Sequence, residues 1–373
     1  MSKDRERKSS GVNRRAFIKT GAAAAAGIAA TTGKAKAESA DRFGPRLSRV
    51  VRVYDPQVTD WDYSSNYYWD YIDQDRLDHM VDEGIKSLAN VFPGFNHLYR
   101  AWNRIMAPFT PGDKIAVKIN LNNYAGMSNE MDAIGPPIAS LCRGLVDVLG
   151  AAASDIYIYD CSRPISEARV RNYVPYAVNW VESGDTLAQA DYDAPISFRG
   201  IGTQYMPRVV TQAQHLINMP LFKDHMFCLS TMAFKNHLGT TKPGPSNLHS
   251  PIHTNLSDLN ACPHIRHKTR LIFGDALFGL YNGGPYGEPM QWSTFPGGPT
   301  PNSLFLSKDP TAHESVMIDY LIAEQEHHGI NVISHEFLHD AASYHQMGVH
   351  EHRGPGGKYH RIKYVQVNAG ETF

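Results

Sequence analysis

The 373-residue chain has only four cysteines, Cys142, Cys161, Cys228 and Cys262, and no two of them form a C-x-x-C pair. No iron–sulfur cluster and no cysteine-type zinc site are therefore expected. One or two disulfides are allowed in an oxidising compartment, although spacing does not pair them. No apolar run approaches the roughly 20 residues that span a bilayer. A G-x-S-x-G elbow, an H-E-x-x-H helix and a P-loop lysine are all missing, so nucleophilic serine chemistry has no support. Gly283-Gly284-Pro285 and Gly297-Gly298-Pro299 read as turns rather than phosphate cradles. No internal repeat or low-complexity tract follows residue 37. Neither charge dominates: 36 Lys and Arg face 37 Asp and Glu, a net charge of −1.

What is present begins at the N-terminus. Asn13-Arg14-Arg15-Ala16-Phe17-Ile18-Lys19 precedes the alanine-rich stretch 21–30, and Ala35-Lys36-Ala37 offers the small residues a signal peptidase reads. A charged start, a short apolar run and an A-x-A site make a secretory leader. The paired arginines resemble the twin-arginine export signal, which carries folded proteins. Residues 1–37 are expected to be that leader, and the mature chain to be periplasmic or secreted. Its first partners would be the twin-arginine translocation machinery and signal peptidase. The leader holds nine of the basic and two of the acidic residues, so its removal leaves a net charge of −8. Such a chain repels a polyanion, so nucleic acid is not an expected partner. Residues 38–373 are expected to form a single α/β domain with insertions.

Local patterns support that class. Strands are expected at 50–55, 114–120, 156–160, 209–210, 215–219, 269–275, 331–334 and 362–367. Apolar residues at helical spacing predict helices over 74–88, 137–149 and 311–325. Strand–helix–strand order argues for a mostly parallel or mixed central sheet flanked by helices. The Gly/Pro-rich segments 242–257 and 281–303 read as long loops, and the aromatic stretch 60–75 as a packed excursion or a lid.

Polar residues gather where strands are expected to end. Lys118 and Asn120 close one strand and Asp160 another; Lys223 and His225 follow Asn218-Met219-Pro220, and Asp275 ends a fourth. Open α/β sheets bind ligands at the carboxyl ends of their strands. The stretch 226–234 is apolar enough for a buried helix. Twelve residues of continuous helix rise about 18 Å, however, so His225 and His237 cannot share one metal unless the segment breaks. Lys223 and Lys235 together suit an anionic substrate, and a desolvated lysine can act as a base. Pro251 argues against a helix that would bring His249 and His253 together. The pairs His327/His328 and His335/His339, with His345, His350 and His352, have metal-like spacing but read as solvated surface residues.

Several stretches carry a family resemblance. They are Val117-Lys118-Ile119-Asn120, Asn218-Met219-Pro220-Leu221-Phe222-Lys223-Asp224-His225, Lys235-Asn236-His237-Leu238-Gly239, Thr269-Arg270-Leu271-Ile272-Phe273-Gly274-Asp275-Ala276-Leu277 and Ser307-Lys308-Asp309-Pro310. In this order they resemble the DUF362 family, a group without an assigned activity. The resemblance implies that Lys118, Asn120, Lys223, His225, Lys235, Asn236, His249 and Asp275 are shared polar positions. Some family members carry ferredoxin-type cysteine clusters, which this chain lacks. Asp160-Cys161-Ser162-Arg163-Pro164 is also similar to the D-D-x-T-R-P substrate motif of nickel-dependent lactate racemases at Asp160, Arg163 and Pro164.

These readings lead to an exported enzyme acting on a small or carbohydrate-like anionic substrate, as a lyase, racemase or hydrolase. His225 is the expected general acid/base, Lys223 and Lys235 hold the anion, and Asp275 orients His225. Lys118, Asn120, Asn236 and Arg163 are expected to bind substrate. A divalent metal, if one is used, would sit on His225, His249 and Asp275. The alternative is a non-catalytic periplasmic metal- or ligand-binding protein, or an assembly partner of an exported cofactor enzyme.

Overall fold

The computed structural model describes residues 47–91, 93–122, 127–284 and 286–373. The expected leader, residues 1–37, lies outside the described residues. Twelve strands are present among the described residues: β1 Ser48–Tyr54, β2 Ile115–Ile119, β3 Ile156–Tyr159, β4 Asn179–Val181, β5 Ala190–Ile196, β6 Gln204–Pro207, β7 His215–Met219, β8 Leu221–His225, β9 Leu229–Ser230, β10 Thr269–Leu280, β11 Ser303–Ser307 and β12 Ile362–Asn368. Ten of them form one sheet with the order β12-β1-β11-β10-β7-β2-β3-β4, while β8 pairs with β10 and β9. β11 runs antiparallel to β1 and β10, and the other pairings along this path are parallel. β5 and β6 make a separate antiparallel pair. This is the expected α/β class with a mixed, mostly parallel sheet.

Alternation along the strands sends side chains to two apolar layers. Val51, Val53, Val117, Ile119, Ile217, Phe273 and Leu306 share one cluster with three helices: α1 Gln74–Ala89, α2 His97–Met106 and α3 Gly135–Arg143. Val50, Ala116, Leu216, Ala276 and Phe305 face the other side. There they pack with α4 Ile252–Ala261, α5 Pro310–His327 and α6 Glu336–Ser343. α1 starts where Asp73 accepts the Arg76 amide, a side-chain cap. It lies close to the sheet because Gly84 has no Cβ, which would meet Leu306 at 2.5 Å and Val53 at 2.7 Å. The aromatic excursion is packed, with Trp61, Tyr68 and Trp69 all buried.

Four local expectations fail. Val209-Val210 lies in a helical turn, Arg208–Gln212, because two apolar residues carry no measurable period. Residues 331–334 join no ladder, although Val332 and Ile333 pack on the second apolar layer. The segment 226–234 is no helix: it turns back as β9 against Asp224 and His225, then enters the helical turn Ala233–Asn236. Finally, α4 begins within the expected loop 242–257 and runs past its end. Pro251 sits at its N-cap, where a missing amide hydrogen costs little.

Candidate functional site

β7 and β8 are one chain path interrupted at Pro220, whose carbonyl accepts the Asp275 amide. β10 is long enough to pair with both, meeting β7 near Ile272 and β8 near Leu280. The interruption carries Lys223 and His225 beyond the end of β2, toward Lys235. The carboxyl ends of β2, β3 and β7 and the continuation β8 thus supply most of the expected site residues, at the place where open α/β sheets bind ligands.

One group is a buried network. Lys118 Nζ donates to Asp160 Oδ2 at 2.8 Å, to the Ile119 carbonyl at 2.6 Å and to Asn236 Oδ1 at 3.2 Å. Asn236 also accepts from Asn120 Nδ2 at 3.1 Å and donates to Asn218 Oδ1 at 2.8 Å. The second Asp160 oxygen accepts the Ser162 amide and hydroxyl at 2.8 and 2.7 Å. Gly239 closes over this pair; a Cβ there would lie 2.9 Å from Asp160 Oδ2 and 3.1 Å from Lys118 Nζ. The Lys118 and Asp160 side chains are 1% and 2% exposed, so their charges neutralise each other rather than face a ligand. Arg163 donates to the Asn122 carbonyl at 2.8 Å and so braces the segment after Asn120.

A second group surrounds Lys223. Its ammonium is fully buried, donates to the Met131 carbonyl at 2.9 Å and lies 3.7 Å from Asp132. Burial lowers its pKa, and Asp132, Glu130 and Asp224 oppose that shift. Asp132 is a hub that also meets Arg169 at 3.5 Å and the Asn122 amide at 2.7 Å. Sequence reasoning overlooked Asp132. The acidic stretch Asn129-Glu130-Met131-Asp132 was the available sign of a counter-charge. The neighbouring Asp224 accepts the Gly284 amide at 2.7 Å, and burial raises its pKa to about 6.

The third group is the chemically open one. Lys235, half-buried, lies with Nζ 3.5 Å from His249 Nε2. The His225 and His249 rings stack with centroids 6.1 Å apart. His225 Nδ1 accepts the Phe227 amide at 3.1 Å, so its proton resides on Nε2. His249 Nδ1 faces the Pro245 carbonyl at 3.0 Å and must donate there, which leaves its Nε2 as acceptor toward Lys235. Burial, then the charges of Lys235, His249 and Lys223, lower the His225 pKa to about 2. Burial, with the charge of Lys223, lowers that of Lys235 to about 8. Among the described residues no carboxylate makes an ion pair with Lys235.

Two expected groupings do not form. Asp275 is level with Leu221 in the β8–β10 register, four residues before His225 and about 13 Å along the strand. Its carboxylate accepts the Leu277 amide at 3.1 Å, and burial raises its pKa to about 6. It therefore neither orients His225 nor joins His225 and His249 as a metal ligand. His253, which Pro251 already argued against pairing with His249, stacks on Phe337 instead. His335, His339, His350 and His352, read from the sequence as solvated, are exposed or partly buried, and their rings cluster. All four cysteines are free and buried, so no disulfide forms among them.

The family model described as a domain of unknown function, DUF362, matches residues 115–319, more than half of the chain. The chain belongs to the DUF362 family. The matched region contains β2, β7, β8 and the whole lysine–histidine cluster. No curated protein matches the chain. Among the described residues no helix is long and apolar enough to cross a membrane.

Proposed function

We propose that this DUF362 protein is exported and that its lysine–histidine cluster binds a small anionic ligand, a carboxylate or phosphate, as an enzyme's substrate. The observation that carries this reading is Lys235. A half-buried ammonium without a carboxylate partner, flanked by two neutral imidazoles, favours an anion from solution. His225 presents a neutral Nε2–H donor beside it, and Lys223 adds positive potential from below. Lysine 235, with a pKa near 8, replaces His225 as the group suited to proton transfer near neutrality. His225, neutral throughout the physiological range, is a hydrogen-bond donor to developing negative charge. The Lys118–Asp160–Asn236 network holds Lys235 through its chain neighbour. Its members are positioning residues rather than groups that touch substrate.

The depressed His225 pKa also favours the second reading, a non-catalytic binding or assembly protein, because a permanently neutral imidazole suits binding as well as catalysis. Calorimetry against inorganic phosphate, small hydroxy acids and sugar acids tests the anion site. At least one should bind, and Lys235→Met should reduce its affinity at least tenfold. Binding that survives in Lys235→Met refutes the reading. Turnover of the bound acid separates enzyme from binder.

A further inference from the structure

A second cluster lies apart from the lysine site, on segments mostly beyond the matched family region. We infer that His335, His339, His350 and His352 form a binding site for a divalent transition metal of the zinc class. Three stretches converge there: the start of α6, the tail 349–353 and the side of α5 that carries Ser315 and Asp319. Ligand nitrogens of His335, His339 and His350 all lie within 4.8 Å of one another. His352 Nε2 is 3.0 Å from His335 Nε2. A tetrahedral zinc with bonds of about 2.0–2.1 Å needs nitrogens roughly 3.4 Å apart, a value between the 3.0 Å contact and the 4.8 Å limit found here.

The surrounding hydrogen bonds fix which nitrogens point inward. Ser315 Oγ donates to the Thr311 carbonyl at 2.7 Å, so it must accept from His350 Nδ1, 2.8 Å away. His350 Nε2 is then a lone pair, buried and without a hydrogen-bond partner. Asp319 accepts from His352 Nδ1 at 2.5 Å and is itself held by the Arg353 amide at 2.9 Å and the Tyr359 hydroxyl at 2.7 Å. In the neutral ring His352 Nε2 is thereby a lone pair, and it faces His335 Nε2. Carboxylate–histidine and hydroxyl–histidine pairs of this kind orient imidazoles toward a metal. His335 Nδ1 is a further buried nitrogen without a partner. In sequence the ligands form an H-x-x-x-H pair at a helix start and an H-x-H pair in the tail. The tail 344–361 holds no regular helix or strand, and a metal here would clamp it to α5 and α6.

The other group with metal-like spacing, Asp258, Asp340 and His345, differs in kind. Arg199 already lies against both carboxylates and supplies their counter-charge.

The test uses tag-free protein stripped of metal and titrated with Co2+, then with Zn2+. One equivalent of Co2+ should give visible ligand-field bands, and one equivalent of Zn2+ should abolish them. Zn2+ at a hundred times its Kd should raise the thermal midpoint by about 4 °C. His339→Ala, at an exposed position, should lose the bands while keeping the wild-type circular dichroism. His350→Gln should lose them too, and His345→Ala should retain them. Absence of the bands in wild type, or their survival in the His339→Ala/His350→Gln double variant, overturns the site.

Discussion

Replacing Lys118 by Met should be among the most damaging single changes at the sheet's carboxyl edge. The substitution keeps the length of the buried stem and removes the charge. Asp160 Oδ2 then loses the ammonium at 2.8 Å, and Asn236 Oδ1 loses one of its two donors. Stranding one partner of a buried ion pair costs about 3–5 kcal/mol. With an unfolding entropy of about 2.1 cal/mol/K per residue over some 330 residues, that lowers the thermal midpoint by about 4–7 °C. Asp160→Asn alone should cost a similar amount, because it strands the ammonium. The double variant Lys118→Met/Asp160→Asn should recover much of the loss, since no unpaired charge remains. A coupling of about 2 kcal/mol or more is expected. Urea titration with a common m-value measures all three free energies. A Lys118→Met cost below 1 kcal/mol, or strictly additive single costs, would refute the assignment of Lys118 as structural. The residue would then be available to a ligand after all.

Anion affinity at Lys235 should fall as pH rises through about 8, where the ammonium deprotonates; calorimetry at pH 7 and 9 with one acid reads this, and an unchanged affinity removes Lys235 from the site. Glu314, buried and accepting Ser230 Oγ at 2.6 Å and the Phe234 amide at 2.7 Å, has its pKa raised to about 7 by desolvation. Its folded state holds a proton that the unfolded chain releases near 4.5. The stability it contributes is therefore complete below that pH and is lost as pH rises through 7. Glu314→Gln should flatten this segment of the stability profile and gain roughly 1–3 kcal/mol at pH 8; a parallel profile contradicts the sign. Replacing both Arg14 and Arg15 by Lys should leave the precursor unexported, as fractionation with immunoblotting would detect, and unchanged export would remove the twin-arginine reading.

Much of the fold was legible because its signals are local. Alternation in Val117-Lys118-Ile119-Asn120 and the period of 74–88 report which face of a strand or helix is buried. The same logic failed for Val209-Val210, where two residues hold no period, and for 331–334, where an apolar run finds no strand to join. The site was legible as a set of strand ends, but its partnerships were not. Lys118 and Lys223 look alike in sequence. One is neutralised by a carboxylate 42 positions away and the other by Asp132 on the loop after β2.

The sequence by itself determined an α/β chain with a mostly parallel sheet, its principal strands, and a concentration of Lys, Asn, Asp and His at their carboxyl ends. Tertiary structure alone decided which of those groups meet. Strand order brings β3 beside β2, so Asp160 reaches Lys118. The register of β10 against β8 sets Asp275 about four residues short of His225. The convergence of α5, α6 and the C-terminal tail turns four histidines, each ordinary in sequence, into one cluster. The reason is range: periodicity is written within a few residues, whereas charge pairing and ligand geometry depend on contacts between segments whose separation along the chain carries no signal.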